Sequence, residues 1–228
     1  GLCADIDSLS RGAEYWSLAK FNMTSDGKYN SITFDCNGDS ISTKRPSVNF
    51  RTYWTGNLSE ELQEKGVISQ WVNKTSSCTT VTDFVSTYGC GVNLIKDTPS
   101  LQADMLGDWR EECIYYDEKT KSNLMIFSTP FTSPYRGPCL MHDHIYRMSI
   151  CWQNVAYNQP PHLGYYLRDY VKYQQSNPTG ISRPVLTDEQ SNVEIPFTLI
   201  SDGIVIRYTD MDNASSSIRV YSLDGLCV

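Results

Sequence analysis

The chain has 228 residues, 40% of them hydrophobic, which suffices for one large domain with or without a small appendage. A net charge of -7 and a pI near 4.9 argue against a nucleic-acid partner, which favours a basic face. No stretch approaches the roughly 20 apolar residues of a spanning helix, and the opening "GLCADID" lacks Met and a signal segment, so it reads as a mature product or internal fragment.

Short strand-like runs follow one another: "YNSITFDC", "SVNFRTYW", "GVISQWV", "EECIYYD", "NLMIFST", "YRMSICWQNV" and "GYYLRDYV". Val, Ile, Tyr, Phe and Trp fill them, and Gly, Asn, Asp, Ser and Pro separate them. "SEELQEKG" predicts at most one or two helical turns. Even spacing of short strands suggests a sandwich or a propeller, and at roughly 40–45 residues a blade the first 170 residues would supply three or four blades. "CADID" and "QADMLGD" echo each other as small-residue–Asp steps into acidic turns. Residues 172–192 are polar and Pro-containing and read as a linker; residues 193–228 alternate again as a truncated β tail. The close of that tail, "IRVYSLDG", resembles the last strands of sorting domains appended to secreted Bacteroidetes proteins.

Eight cysteines do not space as a disulfide framework. Cys113 and Cys151 lie in apolar runs as small buried hydrophobes, and only Cys78 and Cys90 bracket a loop-like stretch that would let them pair.

Three constellations carry chemistry. Asp5, Asp7 and Glu14 in "ADIDSLSRGAE", and Asp104, Asp108, Glu111 and Glu112 in "ADMLGDWREE", place carboxylates around turns. Ca2+ takes six to eight oxygens at about 2.3–2.6 Å from such ligands; the other reading is a solvated hairpin in which Arg110 neutralises a neighbouring acid. In "WQNVAYNQPPH" an extended strand would put Asn154, Ala156 and Asn158 on one side, offering amide and carbonyl oxygens to a cation, and Tyr157 on the other. A strand end stopped by Pro160 and Pro161, with the asparagines in turn bonds, fits equally. In "LMHDHIYR" a strand would set His142 and His144 on one side, but zinc needs more ligands than His162 supplies, and a core histidine is expected. Of the cations, Lys96 in "VNLIKDTP" precedes the acidic strand and Arg51 lies in "NFRTYW"; a lone Lys is ordinarily a surface residue.

Read together, "ADID", "DCNG", "PSVNFR", "GDWREE", "LMHD" and "WQNVAYNQPPH" resemble the C-terminal blades of the rhamnogalacturonan lyases of polysaccharide lyase family 11, over residues 1 to about 168. The resemblance implies an all-β fold: the C-terminal blades (1–171) of an eight-bladed β-propeller that binds several Ca2+ ions. It also implies a secreted protein, monomeric at full length, that cleaves rhamnose–galacturonate bonds of the pectic polysaccharide rhamnogalacturonan I by β-elimination. The family's substrate contacts fall on Asn93, Lys96 and Tyr157, while Leu94 and Ile95 replace a Gly and a Thr. Losing that glycine adds bulk where backbone approaches ligand. Elimination needs a base near the C5 proton and a cation on the uronate carboxylate. Lys96 would be that base if burial or a nearby cation lowers its proton affinity; it would otherwise bind a carboxylate as a point charge, and Tyr157 would stack on a ring or hydrogen-bond the sugar. The competing function is a non-catalytic, Ca2+-dependent carbohydrate-binding propeller module.

Overall fold

The computed structural model describes residues 1–17, 32–46, 49–93, 96–153, 155, 158–176, 197–200, 203–209 and 215–221. Four short strands, β1 (Leu2–Ala4), β2 (Glu14–Trp16), β3 (Thr33–Phe34) and β4 (Ser40–Ser42), form an antiparallel sheet in sequence order. A second sheet repeats the plan with β5 (Phe50–Thr52), β6 (Glu61–Glu64), β7 (Val67–Val72) and β8 (Ser77–Asp83). "SEELQEKG", expected as a helical turn, is therefore β6 and the turn into β7; Leu62 pairs with Ser69, and burial of Leu62 outweighs the helix propensity of Glu, Gln and Lys. Helix α1 (Phe84–Tyr88) follows at once, capped by the Asp83 carboxylate on the Ser86 N–H and stopped by Gly89 at φ 71°.

In the third sheet β11 (Glu112–Asp117) pairs on one side with both β9 (Cys90–Gly91) and β10 (Leu101–Ala103), and on the other with β12 (Leu124–Phe127). No consecutive fourth strand follows β12. Residues 128–139 instead run as a strap across the turns of the second and third sheets: Thr129 Oγ1 donates to the Trp54 carbonyl (2.7 Å) and Ser133 Oγ to the Gly56 carbonyl (2.6 Å). In return Arg110 donates to the Phe131 carbonyl and Trp109 Nε1 to the Tyr135 carbonyl.

The sheets pack face to face. Leu2, Ala4, Ile6 and Trp16 meet Leu62 and Trp71 between the first and second. Trp54, Ile68 and Phe84 meet Cys113, Tyr115 and Phe127 between the second and third, each fully buried ring contributing roughly 1.5–3 kcal/mol. A third cluster, Tyr53, Leu58, Trp109, Leu140, Tyr146, Leu167 and Val171, joins the turns to the helical end of the chain.

That helical end departs from the expected strands. "YRMSICWQNV" lies largely in α2 (His144–Trp152) and "GYYLRDYV" in α3 (Leu167–Ser176). Aromatic and β-branched composition imitates strand here. The deciding features are the Asp143 carboxylate, which accepts the Ile145 and Tyr146 N–H groups, and the i, i+4 burial of Leu167 and Val171. Cys151 is thus an exposed helical residue, whereas Cys113 is buried in β11 as expected. His142 closes a 3-10 turn and His144 opens α2, both exposed, so neither is a core histidine. Cys78 and Cys90 are both free; β8 and α1, rather than a loop, separate them. Helix α3 continues to Ser176, into the stretch read as a linker. Three tail strands, β13 (Phe197–Ile200), β14 (Gly203–Thr209) and β15 (Ser215–Tyr221), pair antiparallel, and β15 runs parallel beside β12.

Candidate functional site

One hairpin is built three times. Ala4 pairs with Glu14, Thr52 with Glu61 and Ala103 with Glu112, at the end of one strand and the start of the next. In each case one carboxylate oxygen of the glutamate accepts the backbone N–H groups two and three residues beyond the first strand. Glu14 takes Ile6 and Asp7 (both 2.9 Å), Glu61 takes Trp54 and Thr55 (2.9 and 3.1 Å), and Glu112 takes Met105 and Leu106 (2.8 and 3.0 Å). The second and third hairpins share more. Gly56 and Gly107 have φ 79° and 78°, Leu58 and Trp109 have φ 68° and 70°, and Asn57 and Asp108 each accept the N–H two residues on. "GNLSEE" and "GDWREE" are thus one motif. The repeat is legible once Leu is allowed opposite Trp and Ser opposite Arg, a match that reading for acidic clusters passes over.

The preceding glutamate of each pair stitches sheet to sheet. Glu60 gives its N–H to the Asp5 carbonyl (2.8 Å), and its carboxylate takes the Asp5 N–H (2.6 Å). Glu111 repeats this with Tyr53 (3.0 and 2.9 Å). Arg51, 1% exposed, lies between the two acids, 2.9 Å from Glu60 and 3.4 Å from Glu111. Burial alone would lower its proton affinity, yet the two carboxylates raise it, so it stays charged. Arg168 reaches Asp5 at 2.7 Å. At the third hairpin the stitch ends: the Asp104 N–H meets Tyr146 Oη (2.9 Å), and that hydroxyl donates to Glu111 (2.7 Å).

The opening acids therefore act chiefly on the chain itself. Asp7 caps its own turn, Asp104 accepts from Gly107, Trp109 and Leu140, Asp108 pairs with Arg110, and Glu111 serves Arg51, Tyr53, Gln102 and Tyr146. Among the described residues no group of three or more His, Cys, Asp or Glu is arranged to hold a metal ion. Among the buried oxygens without a hydrogen-bond partner are Asp5 Oδ1, Glu14 Oε1, Glu112 Oε1 and Asn158 Oδ1. Burial raises Asp5 to about 8 despite Arg168, Glu14 to about 7 and Glu112 to about 8. Asn154, Ala156 and Tyr157 lie outside the described residues.

Of the residues expected to hold substrate, Asn93 and Lys96 are described and Tyr157 is not. The Asn93 N–H reaches the Thr98 carbonyl (2.9 Å), and Asp97, at φ 54°, donates to the Asn93 carbonyl (2.7 Å). Lys96 and Asp97 are braced on the second sheet by Asn49, which donates to the Lys96 carbonyl (3.0 Å), and by the Lys65 N–H on the Asp97 carbonyl (3.0 Å). Asn158 donates its amide to the Pro99 carbonyl (2.8 Å) at the start of β10. The Val155 N–H donates to the Trp152 carbonyl (3.1 Å).

A family model settles the relationship: that of the rhamnogalacturonan lyase family 11 C-terminal domain matches residues 1–177. The chain belongs to rhamnogalacturonan lyase family 11. Rhamnogalacturonan endolyase YesW of Bacillus subtilis (strain 168) is 36% identical over 175 residues, 76% of this chain and 26% of the relative. Rhamnogalacturonan exolyase YesX of the same organism is 36% identical over 181 residues, 75% and 29% of the two chains. The solved rhamnogalacturonan lyase of Bacillus licheniformis superposes with a TM-score of 0.62 at 38% identity, covering 73% of this chain and 26% of the other. This family 11 chain thus spans between a quarter and a third of the length of the curated relatives it matches. No helix among its described residues is long and apolar enough to cross a membrane.

Proposed function

We infer that this chain is part of a polysaccharide lyase that cleaves the rhamnose–galacturonate bond of rhamnogalacturonan I by β-elimination. The observation that supports the reading is the match of residues 1–177 to the C-terminal domain of a rhamnogalacturonan lyase family, with relatives that are rhamnogalacturonan lyases. Elimination removes the C5 proton of a galacturonate, forms the C4–C5 double bond and breaks the bond from C4 to the bridging oxygen. In this reading Lys96 takes the C5 proton or holds the uronate carboxylate, and Asn93 and Tyr157 hold the sugar. Ca2+, held in part by the unpartnered oxygens of Asp5, Glu14, Glu112 and Asn158, would supply positive charge that balances these buried acids. An eight-bladed propeller, secretion and action at or outside the cell surface belong to the same reading. The curated relatives include one endolyase and one exolyase at equal identity, so the mode of attack stays open between them.

The test is release of ultraviolet-absorbing unsaturated uronate from rhamnogalacturonan I by the product of the full coding region. Lys96→Ala is expected to lower kcat by about 10²–10⁴-fold, the range of a lost general base. The non-catalytic binding reading has one observation in its favour, the bulk of Leu94 and Ile95. It wins if the polysaccharide is bound but never cleaved.

A further inference from the structure

Between the third hairpin and the strap lies a cleft of about 450 Å3, lined by Gly107, Asp108, Trp109 and Arg110 on one side and by Tyr135 and Arg136 on the other. Sites for small ligands run from about 300 to 1,000 Å3. A Cβ on Gly137 would stand 3.0 Å from Trp109 Cβ and Cγ, so glycine lets the strap close against the indole. The second hairpin is an internal control. There Asn57, Leu58 and Ser59 hold the turn that Asp108, Trp109 and Arg110 hold here, so the turn itself requires neither charge. Arg110 is nonetheless pinned. Its Nε and Nη2 donate to Asp108 and its Nη1 to the Phe131 carbonyl, which leaves two guanidinium N–H groups unused. Arg136 is exposed, and neither its guanidinium nor the Tyr135 hydroxyl meets a hydrogen-bond or ionic partner among the described residues. Asp108 keeps 41% of its side chain exposed beside them.

We propose that this cleft binds a uronate-bearing saccharide, with Arg136 on the carboxylate and with Asp108 and the Tyr135 hydroxyl on neighbouring sugar hydroxyls. The choice of a uronate polymer rests on the lyase reading above; the ligand chemistry rests on the lining. A planar guanidinium takes a carboxylate through two parallel hydrogen bonds. A carboxylate already paired with arginine only accepts hydrogen bonds, so Asp108 suits sugar hydroxyls and repels a compact dianion such as phosphate. Two guanidinium groups against one carboxylate leave the cleft positive in a chain of net charge -7. The cleft follows β10 in the chain, whereas Lys96 precedes it, so the two sit at opposite ends of that strand. The cleft is thus a holding site, separate from the residue expected to take the proton.

The probe is trigalacturonate, with neutral galactotriose and inorganic phosphate as the other arms, each added to the protein from the full coding region. Amide exchange at residues 107–110 and 133–137 is expected to slow with trigalacturonate alone. Arg136→Gln should weaken that binding by about tenfold or more, the loss of a charge-assisted pair, and Tyr135→Phe should weaken it less. Neither variant removes a bond that the fold uses, so both melting temperatures should match wild type. Absence of protection by trigalacturonate would overturn the proposal, as would wild-type affinity and protection in Arg136→Gln. Equal protection by phosphate or by galactotriose would also overturn it, since the cleft would then not select a sugar acid. The lyase reading fails separately. Cleavage of rhamnogalacturonan I without protection here removes the cleft and keeps the lyase; protection without cleavage keeps the cleft and removes the lyase.

Discussion

Glu111 and Tyr53 exchange two hydrogen bonds across the seam between the second and third sheets, backbone to backbone at 3.0 Å and backbone to carboxylate at 2.9 Å. The same carboxylate carries Arg51, Gln102 and Tyr146. Glu111→Ala strands Arg51 with one buried counter-charge fewer and leaves several donors unmet. Breaking a buried pair from one side costs about 3–5 kcal/mol. Urea unfolding of Glu111→Ala should show a loss of that size, and Glu111→Gln a smaller one. A loss below about 1 kcal/mol would mean that water or Glu60 takes over the role.

Glu61 supplies a pH signature. Burial raises it to about 7 from its ordinary 4.5, against the bonds from Thr55 and Trp54. The folded state therefore holds a proton that the unfolded state has released, and stability falls as pH rises from 4.5 to 7. The span is up to about 3 kcal/mol at 1.36 kcal/mol per unit. Glu61→Gln keeps an oxygen for the two N–H groups and cannot ionise. Melting curves should show the variant close to wild type near pH 4.5 and more stable than wild type at pH 8. Equal curves at pH 8 would show that the carboxylate ionises in place without penalty.

Calcium is tested on the same chemistry. If Glu112 Oε1 serves a cation, chelation lowers the melting temperature of the wild type and hardly that of Glu112→Gln, which keeps the caps on Met105 and Leu106 but lacks the charge. An unchanged wild-type melting temperature, with no calcium by elemental analysis, would remove the ion from this hairpin.

Residues 1–228 alone are expected not to cleave rhamnogalacturonan. The chain matches less than a third of either curated relative, and lost remote binding groups lower rate as well as affinity. Side-by-side assays in calcium decide it. Comparable turnover by the 228 residues, abolished by Lys96→Ala, would make them self-sufficient.

The sequence shows the sheets plainly, because β5, β7, β11 and β12 are runs of β-branched and aromatic residues with clear stops. It hides α2, whose Ile, Tyr, Cys and Trp read as strand until Asp143 is seen as a cap. The site was half legible. Lys96 and Asn158 come from segments that the family resemblance singles out, and Asn158 donates to the Pro99 carbonyl. The work of Glu14 and Glu112 was not legible, since a buried turn cap and a cation ligand are the same residue type in the same place.

The strap at residues 128–139 touches the hairpins at Thr129, Phe131, Ser133 and Tyr135, every second residue. That is the step of a strand, laid across two sheets instead of alongside one. A strand added edge-on would have extended the third sheet and left it free to tilt. Laid crosswise, it removes the hinge. Its hydrogen bonds to the turns of both sheets oppose a tilt of the second sheet against the third.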